Sequence, residues 1–151
     1  MSRTQQRSEE PGDKRIRDYR DLVVWQNSRA LARRVYEVTA RFPSEERFGL
    51  TQQLRRGAVS VASNIAEGYG RGARKDYIRF LQMARGSLYE IQTQTIIAED
   101  LGYVSQEQAA PLLEDITRCA RLLHGLIKSL QKQPGTGNRE RGTGDEADGA
   151  R

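Results

Sequence analysis

The sequence is poor in the residues from which catalytic and covalent sites are usually built. It has a single cysteine, Cys119, and a single histidine, His124. One cysteine cannot form an intramolecular disulfide. Five positions apart on a helix, the two side chains would point to different sides, which excludes a metal site or a Cys-His pair made from them. We expect no metal and no other cofactor, and we expect His124 to be a half-buried structural residue.

Long apolar runs are also missing. No stretch of about 18 apolar residues could cross a bilayer, and the polar N-terminus MSRTQQRSEEPGDKRIRDYR has no apolar segment typical of a secretory signal. The sequence therefore predicts a cytoplasmic protein with no membrane association.

Motifs of enzymes are absent as well. There is no Glu-x-x-His motif for a di-iron bundle and no P-loop lysine motif. Adjacent carboxylates cannot face each other on a helix, so we interpret the acidic pairs as solvated. These pairs are Glu45/Glu46, Glu99/Asp100 and Glu114/Asp115. We expect a protein that is not an enzyme.

Charge and glycine content divide the chain into three parts. Residues 1–17 carry a net charge of +2, residues 18–132 carry +4 and residues 133–151 carry −1, for a total of +5. Neither end shows hydrophobic periodicity, and the second is rich in glycine. We expect a disordered basic tail over 1–17, one folded domain over 18–132, and a disordered Gly-rich charged tail over 133–151. The basic folded part favours polyanionic partners.

The folded part contains four segments whose apolar residues recur at steps of three and four, which predicts amphipathic helices. The first, from Asp21 as N-cap to about Arg41, has a stripe of Val24, Ser28, Leu31, Val35, Val38 and Phe42. The second has smaller side chains and breaks at Gly68: Leu50, Leu54, Ala58, Val61 and Ile65. The third has the most regular repeat: Tyr77, Leu81, Ala84, Leu88, Ile91, Thr95 and Ala98. The fourth opens on a capping box and carries Leu112, Ile116, Cys119, Leu123, Leu126 and Leu130.

Short connections determine how these helices are arranged. Gly102, Tyr103 and Val104 can only reverse the chain, so the third and fourth helices must be antiparallel neighbours, and the other connections are nearly as short. The sequence predicts an all-α protein, an antiparallel up-down-up-down four-helix bundle.

Some apolar residues lie outside the predicted core stripes. Tyr89 and Ile96 follow one line on the outer face of the third helix, and Trp25 and Tyr36 flank the stripe of the first. Apolar residues on adjacent turns form a patch, and we interpret these four as the interface of a homo-oligomer. Alternatively, they are scattered exposed residues or broaden the core.

Cations gather where the third helix begins. Arg71, Arg74, Lys75 and Arg79 lie near the positive end of the helix dipole, which disfavours cations. One interpretation is a phosphate-binding site; the other is a solvated loop whose arginines pair with Glu67 or with a neighbouring subunit. With a second cluster on the second helix, the predicted nucleic-acid-binding residues are Arg55, Arg56, Arg71, Arg74, Lys75 and Arg79.

Several motifs in order resemble a known family. They are DLVVWQ, FP-x-EE-x-FGL, QLRR, SNIAEG-x-GR, RFL and GSL-x-E, which together extend over about residues 18–132. The chain resembles the four-helix-bundle proteins encoded in intervening sequences of bacterial 23S ribosomal RNA genes.

The resemblance implies that copies of the bundle assemble into a ring, with a homopentamer as the first expectation. It also implies kinship with the accessory variability determinant of diversity-generating retroelements, which binds nucleic acid and a reverse transcriptase. We therefore predict a non-catalytic oligomeric adaptor that binds RNA or DNA, with structured RNA favoured. The alternative is a structural or protein-binding ring without nucleic acid.

Overall fold

The computed structural model describes residues 15–133, and the predicted disorder of residues 1–14 and 134–151 lies outside the described residues. A short 3₁₀ turn, Tyr19–Asp21, leads into α1, Val23–Thr39, and a second turn, Ser44–Glu46, leads into α2, Leu50–Gly70. They are followed by α3, Arg74–Asp100, and α4, Gln106–Lys132. Residues 15–133 contain no strand, so the predicted all-α class is confirmed.

Local chemistry explains where α3 and α4 begin and end. Gly72 and Gly102 have φ angles of 80° and 75°, a backbone conformation that glycine adopts without strain, and each lies in a turn between helices. The predicted capping box of α4 is present, since the Ser105 side chain accepts from the Gln108 amide while the Gln108 side chain accepts from the Ser105 amide. These signals close both chain reversals that flank α3.

One continuous apolar core runs along the bundle axis between the four helices. Its largest side chains are almost fully shielded from solvent: Leu31, Leu54, Ile65, Leu81, Leu88, Ile91, Leu112, Ile116 and Leu123. Burying a side chain of this size contributes about 1.5–3 kcal/mol. The three-and-four spacing read from the sequence identifies every one of these positions.

The α2–α3 pair forms the most extensive helix contact and is antiparallel. The Ser60 and Ser87 hydroxyls are 3.1 Å apart. Gly57, one turn before Ser60 on α2, faces Ile91, which lies one turn after Ser87 on α3. A Cβ at Gly57 would lie 2.5 Å from the Cγ2 of Ile91, so glycine permits the close approach of the two helices.

The α1–α4 pair is antiparallel as well. Arg34 Nε lies 3.1 Å from a carboxylate oxygen of Asp115, and Ser28 lies beside the Cys119 thiol. Moving from Arg34 to Ser28 along α1 therefore corresponds to moving forward along α4. Together with the tight turns between successive helices, this register is consistent with the up-down-up-down order.

Two positions in the predicted stripes were wrong by one residue. In α1 the buried residue is Thr39 and not Val38, which is only half-buried. In α4 it is Ile127 and not Leu126. In both cases the neighbour 100° around the helix can also pack against the bundle, so spacing alone does not choose between them.

Two further details differ from prediction. The N-cap of α1 is Leu22, because the Asp21 carboxylate instead closes a capping box with Asp18 in the preceding 3₁₀ turn. His124, predicted to be half-buried, is exposed beside the groove between α3 and α4.

No helix in the described part of the chain is long and apolar enough to cross a membrane.

Candidate nucleic-acid interface

The turn between α2 and α3 places the start of α3 at one end of the bundle. Ala73 occupies the N-cap of α3 and has no side chain that could accept from the first amides. The first-turn N–H groups therefore lack a capping side chain, and the only acidic residue in that turn is Asp76. This is the electrostatic setting in which an anion is stabilised.

Four predicted cations surround this turn, and they differ in their partners. Arg71 pairs with Glu67 at 2.9 Å, and Arg79 lies 3.6 Å from Asp76. The Arg74 Nη1 donates to the backbone carbonyl of Gln133, at the end of α4. Lys75 is exposed and forms no ion pair within residues 15–133. The sequence prediction that arginines of this loop pair with Glu67 is met by Arg71.

Both ion pairs are open to water. Side-chain exposure is 48% for Arg71 and 53% for Glu67, and it is 62% for Arg79 and 46% for Asp76. Exposed pairs of this kind contribute about 0–1 kcal/mol. A phosphate can therefore displace either carboxylate at low cost, and the pairs do not remove these guanidinium groups from the candidate surface.

An aromatic ring supports two of the cations. The guanidinium carbons of Arg71 and Arg79 lie 5.0 and 5.1 Å from the ring centroid of Phe80, which is buried. Cation–π contacts favour placing both guanidinium groups over the ring. They bring Arg71 and Arg79 to one small area, although the two residues belong to different segments.

A cavity of about 270 Å³ lies beside this cluster. Its walls are formed by Gly68, Tyr69, Gly72, Ala73, Arg74, Tyr77, Leu130 and Gln133. The rings of Tyr69 and Tyr77 meet edge to face, with centroids 6.0 Å apart. Burial raises the pKa of Tyr77 to about 12, and neighbouring Tyr69 adds to the rise. The Tyr77 hydroxyl therefore stays protonated at neutral pH.

The two ends of the bundle differ in charge. The end formed by the α2–α3 turn and the last turn of α4 carries Arg71, Arg74, Lys75, Arg79 and Lys132 against Glu67 and Asp76. The other end, with the α1–α2 and α3–α4 connections, carries Glu45, Glu46, Glu99, Asp100 and Glu107 against Arg41 and Arg47. A polyanion is therefore drawn to the α2–α3 end.

The other two predicted nucleic-acid-binding residues lie elsewhere. Arg55 is in the second turn of α2, about 24 Å along the helix from Arg71 at 1.5 Å per residue. Its Nε donates to the Thr39 hydroxyl at 2.8 Å, and its guanidinium lies 4.6 Å from the ring centroid of Tyr36. Arg55 thus joins α1 to α2. Arg56 is exposed and lines the groove between α2 and α3.

The predicted interface residues form two patches on different sides of the bundle. Trp25 is half-buried, and Tyr36 is 46% exposed on the side of α1 that faces α2. Tyr89 and Ile96, 54% and 46% exposed, lie on the outer face of α3. The α1–α2 patch also includes exposed Val59, and the α3 patch includes exposed Met83 and Ile97.

Sequence reasoning missed two aromatic residues of the α2–α3 end, Tyr69 and Phe80. Phe80 precedes Leu81 of the predicted stripe, and Tyr69 follows Gly68, so neither fits the three-and-four repeat. The available signal was the Tyr77–Phe80 spacing of three on a helix whose first turn is rich in cations.

Within residues 15–133, no three His, Cys, Asp or Glu residues come together in a metal-binding group.

The bundle and its cationic end define the chain as an all-α helical-bundle protein with a candidate anion-binding surface. Residues 20–125 match the family of 23S rRNA-intervening sequence proteins, and the chain belongs to that family. A solved structure from Bacteroides thetaiotaomicron, a protein of unknown function from the S23 ribosomal protein family, is similar with a TM-score of 0.64 and 26% identity. The match covers 70% of this chain and 99% of that one. No curated protein matches the chain.

Proposed function

We propose that this member of the 23S rRNA-intervening sequence protein family is a non-catalytic, self-assembling adaptor that binds nucleic acid, with structured RNA as its main ligand. The observation that carries the proposal is the cation cluster of the α2–α3 end, beside an α3 N-terminus without a capping side chain. Phosphates would occupy positions that Glu67 and Asp76 now hold in exposed ion pairs.

Binding of this kind is electrostatic and depends little on base sequence. Arg71, Arg74, Lys75 and Arg79 project from one end of the bundle, so they suit a phosphate backbone better than base edges. If copies assemble, each contact is repeated in every subunit, and weak sites add to a measurable affinity. The kinship implied by the sequence motifs adds a reverse transcriptase as a candidate protein partner.

The test is a titration of the assembled protein with fluorescent structured RNA and duplex DNA at about 50 and 200 mM salt. Each phosphate contact contributes a slope of about −0.9 for duplex DNA, or about −0.7 for single strands, in log K against log salt. The variant Arg71→Gln/Arg74→Gln/Arg79→Gln should flatten the slope without changing assembly.

A matched control removes three cations from α4, as Arg118→Gln/Arg121→Gln/Lys128→Gln, and should leave the slope closer to that of the original protein. Equal losses in both variants would show that only net charge matters. No binding at the lower salt would favour the second candidate function, a structural ring without nucleic acid. In that ring Arg71 and Arg79 only form ion pairs with Glu67 and Asp76, and the presence of both pairs supports this candidate.

A further inference from the structure

The cavity of about 270 Å³ beside the cation cluster lies where the ends of three helices meet. Its walls include Tyr69 from the last turn of α2, Tyr77 from the start of α3 and Leu130 from the last turn of α4. The Arg74 guanidinium donates to the Gln133 carbonyl and joins the start of α3 to the end of α4 beside the cavity. No acidic side chain within residues 15–133 lines it. An anionic ligand would therefore meet no like charge in the cavity wall.

Gly68 brings the aromatic rings of this end together. A Cβ at Gly68 would lie 2.7 Å from the Cβ of Phe80 and 3.2 Å from a ring carbon of Tyr77, so the missing side chain lets the start of α3 pack directly on the end of α2. The Tyr77 ring then meets the Tyr69 ring edge to face in the cavity wall. Phe80 supports two cations of the cluster. One close helix contact therefore places an aromatic cavity and a cation cluster side by side.

The cavity walls combine aromatic rings with groups that form hydrogen bonds. Tyr69, Tyr77 and Gln133 each carry a side-chain group that can both donate and accept. Burial raises the pKa of Tyr77 to about 12, so its hydroxyl remains a donor at neutral pH. Proteins bind unstacked nucleobases with this combination, aromatic contact with the ring and hydrogen bonds to its edges. The volume is below the range of about 300–1,000 Å³ of pockets for drug-sized ligands, which suits one small planar group.

Arg74 connects the cavity to the cation cluster. It lines the cavity and is half-buried, whereas the neighbouring Lys75 is exposed and forms no ion pair in the described part of the chain. Ala73, the N-cap of α3, offers the first amides no accepting side chain. A phosphate beside Arg74 would meet two cations and these amide donors. A ring attached to that phosphate would lie at the cavity.

We infer that the cavity and the cation cluster together form a site for one nucleotide whose base is not stacked, with the base in the cavity and the phosphate on Arg74 and Lys75. In structured RNA such nucleotides occur in loops, bulges and ends, and a perfect duplex lacks them. Aromatic contact with a base depends little on the base type, which agrees with binding that is indifferent to base sequence. The inference rests on the proposed function and gives a physical reason for its preference for structured RNA.

The test compares two fluorescent RNA duplexes that are identical except for a single bulged nucleotide. At the lower salt concentration the bulged duplex should bind about five- to tenfold more tightly, because contact of one base with aromatic side chains typically contributes at least this factor. Tyr69→Ala should bring the ratio of the two affinities close to one without changing the affinity for the paired duplex. Circular dichroism confirms that the variant remains helical.

A matched control removes a tyrosine from the opposite end of the bundle. Tyr103 is also half-buried, and its ring packs on that of Phe42 with centroids 5.7 Å apart. Tyr103→Ala should keep the preference for the bulged duplex, although it removes a comparable aromatic contact. A loss of the preference in both variants would assign the effect to general loosening of the fold and would overturn the site.

A cross-link locates the base in the original protein and does not depend on any variant. With 4-thiouridine at the bulge, near-ultraviolet light should attach the RNA within residues 68–77 or 130–133, as mass spectrometry of the peptides would show. The same label at a paired position should attach much less. Attachment of the bulged label only to other parts of the chain would overturn the placement of the base in the cavity.

Adenosine 5′-monophosphate, used as a competitor, separates the two sources of a nucleotide. Competition only at concentrations far above that of the bulged duplex assigns the site to a nucleotide within a strand. Tighter binding of the free nucleotide would keep the nucleotide site and overturn its assignment to a strand. No binding of either duplex refutes the proposed function itself. Equal binding of the two duplexes, or a preference that survives Tyr69→Ala, overturns only the nucleotide site.

Discussion

Arg71 and Arg79, from the α2–α3 turn and the second turn of α3, share one support: their guanidinium groups lie over the Phe80 ring at 5.0 and 5.1 Å. Each also holds a carboxylate of its own, Glu67 or Asp76. The ring therefore holds two like charges together, while the carboxylates offset their repulsion. This arrangement links the stability of the turn to the position of the proposed phosphate contacts.

Replacing the ring should loosen both cations. We expect Phe80→Leu to lower the free energy of unfolding by about 1–2 kcal/mol, since two cation–π contacts of about 0.5–1 kcal/mol each are lost while apolar burial is mostly kept. Urea denaturation measures this change in the free energy of unfolding. In an Arg71→Gln/Arg79→Gln background the same change should cost clearly less, and an equal cost in both backgrounds would assign the whole effect to packing.

Much of the fold could be predicted because a single physical signal repeats along four helices. The three-and-four spacing located the core, and Gly102 and Ser105 marked a turn and a cap by known backbone preferences. The break predicted at Gly68 was two residues too early, since α2 continues to Gly70. The misses at Val38 and Leu126 have one cause. Each is an apolar residue beside the buried one, and which of the two points inward depends on how the neighbouring helix is rotated.

From the contact between α2 and α3, we expect two glycines of α2, Gly57 and Gly70, to respond differently to substitution by alanine. Gly57→Ala should destabilise the fold, because its Cβ would lie 2.5 Å from the Cγ2 of Ile91, and either the Ile91 side chain or one of the helices must shift. Gly70→Ala in the same helix meets nothing within 4 Å and should be neutral or stabilising by up to about 1 kcal/mol. Thermal unfolding of the two variants compares them. A Gly57→Ala protein as stable as the original would show that the helices are not in close contact there.

The candidate site was less predictable than the core. The sequence identified the four cations around the α2–α3 turn but not Lys132, and the Glu67–Arg71 pair follows from a spacing of four on a helix. Their common support on Phe80 requires the turn to fold back, which no local spacing reveals. Arg55 was grouped with them by charge alone, although its contacts with Thr39 and Tyr36 lie far along α2.

Cys119 makes a prediction about alkaline pH. Burial raises the pKa of its thiol to about 11 from the ordinary 9.0, with smaller opposing effects from Ser28 and Arg118. In the unfolded chain the thiol ionises near pH 9.0, whereas the folded protein keeps it neutral to about pH 11. The stability contributed by the neutral thiol is thus fully present below pH 9 and is lost as pH rises through 11. Tyr77, whose pKa rises from 10.0 to about 12 for the same main reason, acts in the same direction at higher pH.

Two measurements test this. At pH 8 iodoacetamide should label Cys119 much more slowly in the native protein than in urea, because only the exposed thiolate reacts. Urea midpoints should fall between pH 9 and 11, and Cys119→Ala, which cannot ionise, should show a smaller fall over that range despite a lower midpoint at pH 7. Rapid native labelling at pH 8 together with a pH-independent midpoint would mean that α4 presents this thiol to solvent, and the α1–α4 register derived from Ser28 and Cys119 would then need revision.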